Sequence, residues 1–523
     1  MFANISQVDF IIVVAYFILI LGIGLIIARR TTTGDDLFLG GRSFTWGLIG
    51  LSIFASNISS STIIGLSGVA YSSGVVQSVY EWMSGIPLLI CAAIFIPLYL
   101  RARITTIPEF LEIRYDHRSR YFFSAITIFM SVVIEMAGGL YAGAIVLQSF
   151  FPDLVLWQTT IFLAFFAGVY TAFGGLKAVV YTDALQAIIL LVGCSVLTYL
   201  LFAELDFSWD RVVAAVPEGH MSMVRPLEDD TLPWLGLLLG VPIMGFWYFT
   251  TNQFIVQRVL GSKDVKHARW GIMLAGFLKI TPLLLMVIPG VMAISVLPGI
   301  DVPDKVFPTA MKEYLPVGLL GLVLAGLISA ILSSVDSILN SASTLIVIDF
   351  IQPNKPDLSE RQLLHYGRII TLILAVFAAF WAPQIANFKS LWDYLQEMFS
   401  IVVPPVAVIF LVGVFYKRGN KDGAFWTLLL GTIFGILLFV CRLLDLWSIH
   451  YTINVGIAFA FSTVVFVFVS LRGPAPSEEV IERTTYRPAL LAEGMEGLSW
   501  YKDYRVYGVL LLALIFTILF IFW

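Results

Sequence analysis

Charge is what this sequence has least of. Of 523 residues, Asp, Glu, Lys and Arg make up 13%, while hydrophobic residues make up 59%. A soluble globular domain carries about 25% charged residues. A soluble chain of this length could bury a large core, but it would still need a polar exterior, and this one lacks the charge to cover it. Lipid must therefore be the solvent for much of the surface. Cysteine is scarce too. Cys91, Cys194 and Cys441 lie far apart in apolar runs, without metal-ligand spacing, and read as small buried hydrophobes. His117, His220, His267 and His365 fall in loops and His450 at a helix end. No basic arm or block is present, which argues against nucleic acid as a partner. No Walker-type phosphate loop is visible, and the longest hydrophilic stretches, 205–232 and 472–504, are too short for an appended nucleotide-binding domain. If the protein moves a solute uphill, an ion gradient must drive it. No catalytic constellation appears, so the chain does not read as an enzyme. The first apolar run, 9–28, has the length of a full span and ends in Arg29-Arg30 rather than a small-residue cleavage site, so it does not read as a cleavable signal.

What the chain does have is apolar runs of about 20 residues, the length that crosses a bilayer as a helix. They number fourteen, from 9–28 to 505–523, and include 45–68, 157–174, 178–204, 233–256 and 315–350, the last long enough to exceed one span. The basic residues alternate with this count. With the N-terminus outside, twenty-four Lys and Arg fall in inside segments, among them Arg101, Arg114, Arg120, Arg258 and Arg269. Six fall outside (Arg211, Arg225, Lys305, Lys312, Lys389, Arg442), and Lys279 lies within a helix. Cytoplasmic loops carry the excess of Lys and Arg, so both termini are expected outside the cell.

Polar residues at membrane depth are costly and tend to mark pathways. The second run holds Ala55-Ser56-Asn57-Ile58-Ser59-Ser60-Ser61-Thr62 at its middle, and the seventh holds Gly245-Phe246-Trp247-Tyr248-Phe249-Thr250-Thr251-Asn252. Hydroxyl side chains compete for backbone hydrogen bonds and glycine weakens a helix, so both helices are expected to break near the midplane. They open two five-helix sets, 45–204 and 233–415. Corresponding interrupted helices in two halves point to an inverted-repeat transporter with its site between them. The competing reading keeps both helices continuous, with hydroxyls bonded back to i−4 carbonyls. In the ninth run Ser329, Ser333, Ser337 and Ser341 recur every fourth residue around Asp336. Such a stripe suits close helix packing or a row of oxygen ligands for a hard cation such as sodium. Glu81 and Lys279 also lie deep. They fit a structural ion pair, and they fit equally an acceptor and a donor for sugar hydroxyls.

The motifs Asp36-Leu37-Phe38-Leu39-Gly40-Gly41-Arg42-Ser43, Tyr80-Glu81-Trp82, Thr106-Ile107-Pro108-Glu109-Phe110, Gly174-Gly175-Leu176-Lys177, Phe277-Leu278-Lys279, Ser333-Ser334 and Asp393-Tyr394-Leu395-Gln396 together resemble those of the sodium/solute symporters, within them the sodium/glucose and sodium/galactose branch. The resemblance runs over about 9–471. It implies an all-α integral membrane fold of about fourteen transmembrane helices around a LeuT-type five-plus-five inverted-repeat core. The expected divisions are 1–43 (extra helix and cytoplasmic loop), 44–205 (first repeat), 206–232 (extracellular loop), 233–415 (second repeat) and 416–523 (C-terminal helices, with a cytoplasmic loop at 472–504). It implies sodium as the coupling ion, bound by backbone oxygens of Ala55, Ile58 and Ala330 and hydroxyls of Ser333 and Ser334. It implies a solute held by Asn57, Glu81, Ser84, Lys279 and Gln396 behind an aromatic inner gate at Tyr248.

Four residues depart from the sugar-transporter pattern: Thr62, Gly245, Phe249, and Glu135, a carboxylate where a bacterial relative has an amide. Asp336 replaces a hydroxyl of a second sodium site known in some relatives, so Asp183, Ser333, Asp336 and Ser337 are expected to form a second cation site. A packing role for Asp336 among the serines is the alternative. The expected activity is sodium-coupled import of a small polar solute, a sugar or polyol first, with sialic acid, a monocarboxylate, an amino acid or inositol as alternatives and a non-transporting sensor behind them. The expected setting is the cell membrane, a bacterial inner membrane first, as a monomer or weak oligomer in the bilayer.

Overall fold

The computed structural model describes residues 5–28, 39–58, 60–355, 357–388 and 390–523. Arg29, Arg30, Asp36, Leu37, Phe38, Ser59 and Lys389, which the sequence reading used, lie outside them. All regular structure among the described residues is helical. Among the described residues ten helices are long and apolar enough to cross a membrane, and up to twelve spans result when each of two bent pairs counts as one. Two further apolar helical stretches, Gln7–Ile20 and Leu156–Gly168, are shorter, the first being part of a helix that runs Gln7–Ala28. The described residues thus give about ten to twelve spans beside the expected fourteen. One difference concerns 157–174 and 178–204. Helical structure runs unbroken from Leu156 to Glu204, because nothing stronger than Gly174-Gly175 separates the two apolar runs, and glycine weakens a helix without forbidding it.

Both expected breaks are present. Trp46–Asn57 ends at Ile58, whose φ of −82° and ψ of 65° leave the helical region. The chain resumes helix at Ser60, with a bend of 53° between the halves. A helix that stops at Asn57 loses the i+4 partners of its last carbonyls. The last regular bond runs from the Ile58 N–H to the Phe54 carbonyl at 2.8 Å, and the carbonyl of Asn57 is retaken by the Thr62 hydroxyl at 2.8 Å. The second broken helix, Trp234–Thr250 and Gln253–Leu260, bends by 47°. There Asn252 turns extended and caps the second half, its side chain accepting from Phe254 N–H at 3.3 Å. The Thr251 hydroxyl does bond back to the Trp247 carbonyl at 2.9 Å, as the continuous-helix reading supposed, but the backbone breaks all the same.

Around these two lie the remaining helices. The span that begins at Leu319 is almost wholly buried, whereas Lys421–Leu443 and Tyr504–Ile521 are peripheral. The outer surface is apolar: Phe162, Phe165, Phe380, Val464, Val509 and Phe520 are all largely exposed, as a lipid-facing surface requires. Close packing inside depends on a few small residues. A Cβ on Gly68 would meet the Pro303 carbonyl oxygen at 2.5 Å, so the turn Pro303–Lys305 sits directly on Ser60–Ser73, the second half of the first broken helix. Ion pairs between distant loops join segments that the charge alternation assigned to one side. Arg101 pairs with Glu493 at 3.0 Å, and Arg118 with Asp422 at 2.7 Å. On the opposite side Arg442 pairs with Glu397 at 3.0 Å.

Candidate functional site

Between the two breaks lies a cavity of about 110 Å³. The first broken helix contributes Ser56, Asn57 and Thr62, and the second contributes Met244, Gly245, Trp247, Tyr248, Phe249 and Phe254. Tyr80, Glu81 and Ser84 enter from the following segment. Glu135 comes from a widened helical turn at Met130–Met136, Ser334 from the buried helix Leu319–Leu345, and Trp392, Gln396 and Phe399 from Leu391–Ala407. The wall is apolar and aromatic with a few convergent polar groups, the usual make-up of a small-molecule site.

Five of the six expected solute residues line this cavity: Asn57, Glu81, Ser84, Tyr248 and Gln396. The sixth, Lys279, stands one layer behind the wall. It follows the helix Val265–Leu278 and is fully buried. Its ammonium donates to both the Glu81 carboxylate and the Asn57 side-chain oxygen, and it lies 5.5 Å from the centroid of the Phe249 ring. Of the two readings of the Glu81–Lys279 pair, the ion pair is present. It also orients the two acceptors that face the cavity. Trp392 Nε1 donates to Gln77 at 3.1 Å, and the Tyr80 hydroxyl meets that of Tyr451 at 3.3 Å, which ties the cavity wall to the helix Tyr451–Arg472. Tyr248 is packed among Trp247, Phe249 and Phe254, at centroid distances of 5.9, 5.0 and 5.9 Å.

Of the expected sodium ligands, Ala55 and Ile58 flank the first break. Ala330, Ser333 and Ser334 share one stretch of the buried helix. Ser334 lines the cavity, and its buried hydroxyl has no hydrogen-bond partner among the described residues. Ser333 instead donates to Asp183.

Asp183 has a partner the sequence reading did not assign. Arg258, counted there among loop charges, is fully buried and reaches Asp183 at 3.1 Å. It also donates to Ser52 at 2.8 Å, to Ser337 at 3.1 Å and to Ser56. Ser52 and Ser56 donate in turn to the same carboxylate at 2.7 and 3.0 Å. The region expected to hold a second cation thus contains a resident guanidinium. Asp336, also buried, faces a separate cavity of about 20 Å³ shared with Thr182, Gln186, Ser329 and Ser333. One signal in the sequence pointed to Arg258: Gln257-Arg258 interrupts the apolar run Phe254-Ile255-Val256 and Val259-Leu260, which is not the setting of a solvated loop.

Residues 37–431 match the sequence profile of the Sodium:solute symporter family. The chain is 32% identical to "Sodium/glucose cotransporter 4" of Danio rerio, over 92% of this chain and 81% of that protein. It is 32% identical to "Sodium/glucose cotransporter 1" of Oryctolagus cuniculus, over 89% and 79%. With "Sodium/myo-inositol cotransporter 2" of Homo sapiens the identity is 33%, over 91% and 78%. In three dimensions the chain superposes on a Na+-coupled sialic acid symporter in a substrate-bound, outward-open state with a TM-score of 0.77, over 90% of this chain and 99% of that one, at 21% identity. That likeness is one of fold: a LeuT-type transporter core.

Proposed function

The chain belongs to the sodium:solute symporter family, and from that premise we propose that it carries a small polyhydroxy solute, a sugar or polyol, inward together with sodium by alternating access. The observation that carries the solute class is the contact of Lys279 with both Glu81 and Asn57 at the cavity wall. It holds two acceptors in fixed orientation, as hydroxyl donors require, and aromatic rings supply the rest of the surface. The named solutes of the relatives, glucose and myo-inositol, fit this chemistry.

Sodium enters the proposal through the first break. Carbonyls freed near Ala55 and Ile58, with those of Ala330 and the hydroxyls of Ser333 and Ser334, form a neutral oxygen set suited to a monovalent ion. Binding there stabilises one arrangement of the broken helix and orients Asn57, so each ligand raises the affinity of the other by the same factor. Each sodium contributes about 2.3 kcal/mol per 100 mV of membrane potential. Tyr248 serves as the inner gate. Asp183, Ser333, Asp336 and Ser337, with Arg258 among them, form a second, charge-compensated region open to an additional cation beside Asp336. In this reading 44–205 and 233–415 are the two inverted repeats, 1–43, 206–232 and 416–523 are accessory, both termini face outward, and the chain performs no chemical conversion.

The test is uptake into proteoliposomes under an inward sodium gradient, with potassium replacing sodium as the control. Concentrative, sodium-dependent uptake of a labelled sugar or polyol is expected. Saturable uptake indifferent to sodium, or sodium-linked binding without counterflow, would overturn the proposal.

A further inference from the structure

The ionisable groups around the cavity do not balance. Its described lining carries two carboxylates, Glu81 and Glu135, and no Lys, Arg or His. Glu81 is matched by Lys279 behind it. Arg258, the other buried cation nearby, is committed to Asp183. Among the described residues no Lys, Arg or His pairs with Glu135. It accepts from two neutral donors, the Asn252 side-chain amide at 2.7 Å and the Ser131 side chain, and Asn252 caps the Gln253–Leu260 half of the second broken helix. A carboxylate accepts at both oxygens, with about four lone-pair positions. Bonds from Asn252 and Ser131 therefore still leave acceptor capacity toward the cavity that Glu135 lines.

We infer that Glu135 is a specificity-determining residue: it accepts a hydrogen bond from a hydroxyl of an uncharged polyhydroxy solute and excludes solutes that carry a carboxylate. The inference rests on the transport reading above and narrows it. A buried acid needs a cation or several donors to replace its lost water; Glu135 has Asn252 and Ser131, and these are already taken when a solute arrives. A solute carboxylate in this cavity would find both described cations already engaged and a like charge across from it, an arrangement that interfaces use to reject wrong partners. A polyol meets the opposite situation, with acceptors at Glu81 and Glu135 on different walls and several hydroxyls to donate. The fold likeness to a sialic acid symporter therefore does not extend to the charge of the cargo.

The experiment measures binding to the purified full-length protein in sodium by thermal shift, with glucose, galactose and myo-inositol against glucuronate and galacturonate. Wild type should bind a neutral compound at least about tenfold more tightly than its uronate, a difference of the size that one like-charge contact imposes. Glu135→Gln, whose carbonyl can still accept from Asn252, should narrow that gap to about threefold or less, and Glu135→Asp should preserve it. A uronate bound by wild type as tightly as its neutral parent would overturn the inference even if no variant folds. So would an unchanged gap in Glu135→Gln. If no compound of either class stabilises the wild type in sodium, the transport reading fails first, and the inference with it. That outcome is distinct, because then there is no gap to compare.

Discussion

Arg258 Nη2 lies 3.1 Å from Asp183 Oδ2, and neither side chain is more than 1% exposed. A buried pair of this kind is costly to break, because the partner left behind is an uncompensated charge, typically worth about 3–5 kcal/mol. Arg258→Met is therefore expected to lose most of its folded yield and to melt well below wild type in detergent. The double variant Arg258→Met/Asp183→Asn, which removes both charges, should recover most of the loss. Melting followed by size-exclusion chromatography checks this. A single variant as stable as wild type, or a double variant no better than the single, would show that the pair does not carry the packing at this junction.

Ser334 presents a buried hydroxyl without a partner among the described residues, on the wall of the cavity that Ser56 and Asn57 of the first broken helix also line. If it ligates sodium, Ser334→Ala should raise the sodium concentration for half-maximal uptake by about tenfold, the loss of one net hydrogen-bond-sized interaction of about 1.4 kcal/mol. Solute affinity should fall at low sodium and return at saturating sodium, as reciprocity requires. Ser337 already donates to the Ser333 carbonyl at 2.8 Å, so Ser337→Ala should shift sodium dependence less. Equal effects of the two substitutions would count against a ligand role for Ser334.

Asp304 sits in the turn on Gly68, buried, with one carboxyl oxygen unpartnered among the described residues. Burial pushes its pKa up to about 6, and neighbouring Asp393 pushes in the same direction. For an acid raised in this way the native state keeps its proton to higher pH than the unfolded chain, so stability falls as pH rises from about 4 to about 6 and stays lower above that. Asp304→Asn mimics the protonated form. Its melting temperature should exceed that of wild type at pH 7.5, by an amount corresponding to at most about 3 kcal/mol, and the advantage should fade on titration to pH 4.5. An advantage independent of pH would assign the effect to packing.

Much of this architecture is written locally. The hydroxyl run at 56–62 and the glycine-and-threonine run at 245–251 mark the two breaks because they weaken a helix where it stands, and the backbone leaves helix at Ile58 and Asn252 as those runs suggest. What depends on partners far along the chain is less legible. Lys279 reads as a wall residue from its depth, but its position behind Glu81 and Asn57 is set by helices some 200 residues apart in sequence. Arg258 reads as a loop charge when basic residues are only counted, and its burial emerges only once Ser52, Ser56, Asp183 and Ser337 converge on it. The join at 174–178 is less legible for another reason: a change of hydropathy is not by itself a break in the backbone, and helix runs on through it.

The geometry of the first break also bears on how the protein is made. Trp46–Asn57 has 12 residues and Ser60–Ser73 has 14, which at 1.5 Å per residue gives about 18 and 21 Å, against a hydrocarbon core of about 30 Å. Neither half can settle across a bilayer alone, so the insertion machinery must release the pair as one apolar unit. The exposed carbonyls at Ile58 become tolerable only after neighbouring helices have closed around them. The cavity between the breaks is thus one of the last features this chain acquires during biogenesis. A molecule that reaches the membrane with all its spans but without its final assembly would be fully inserted and yet blind to sodium.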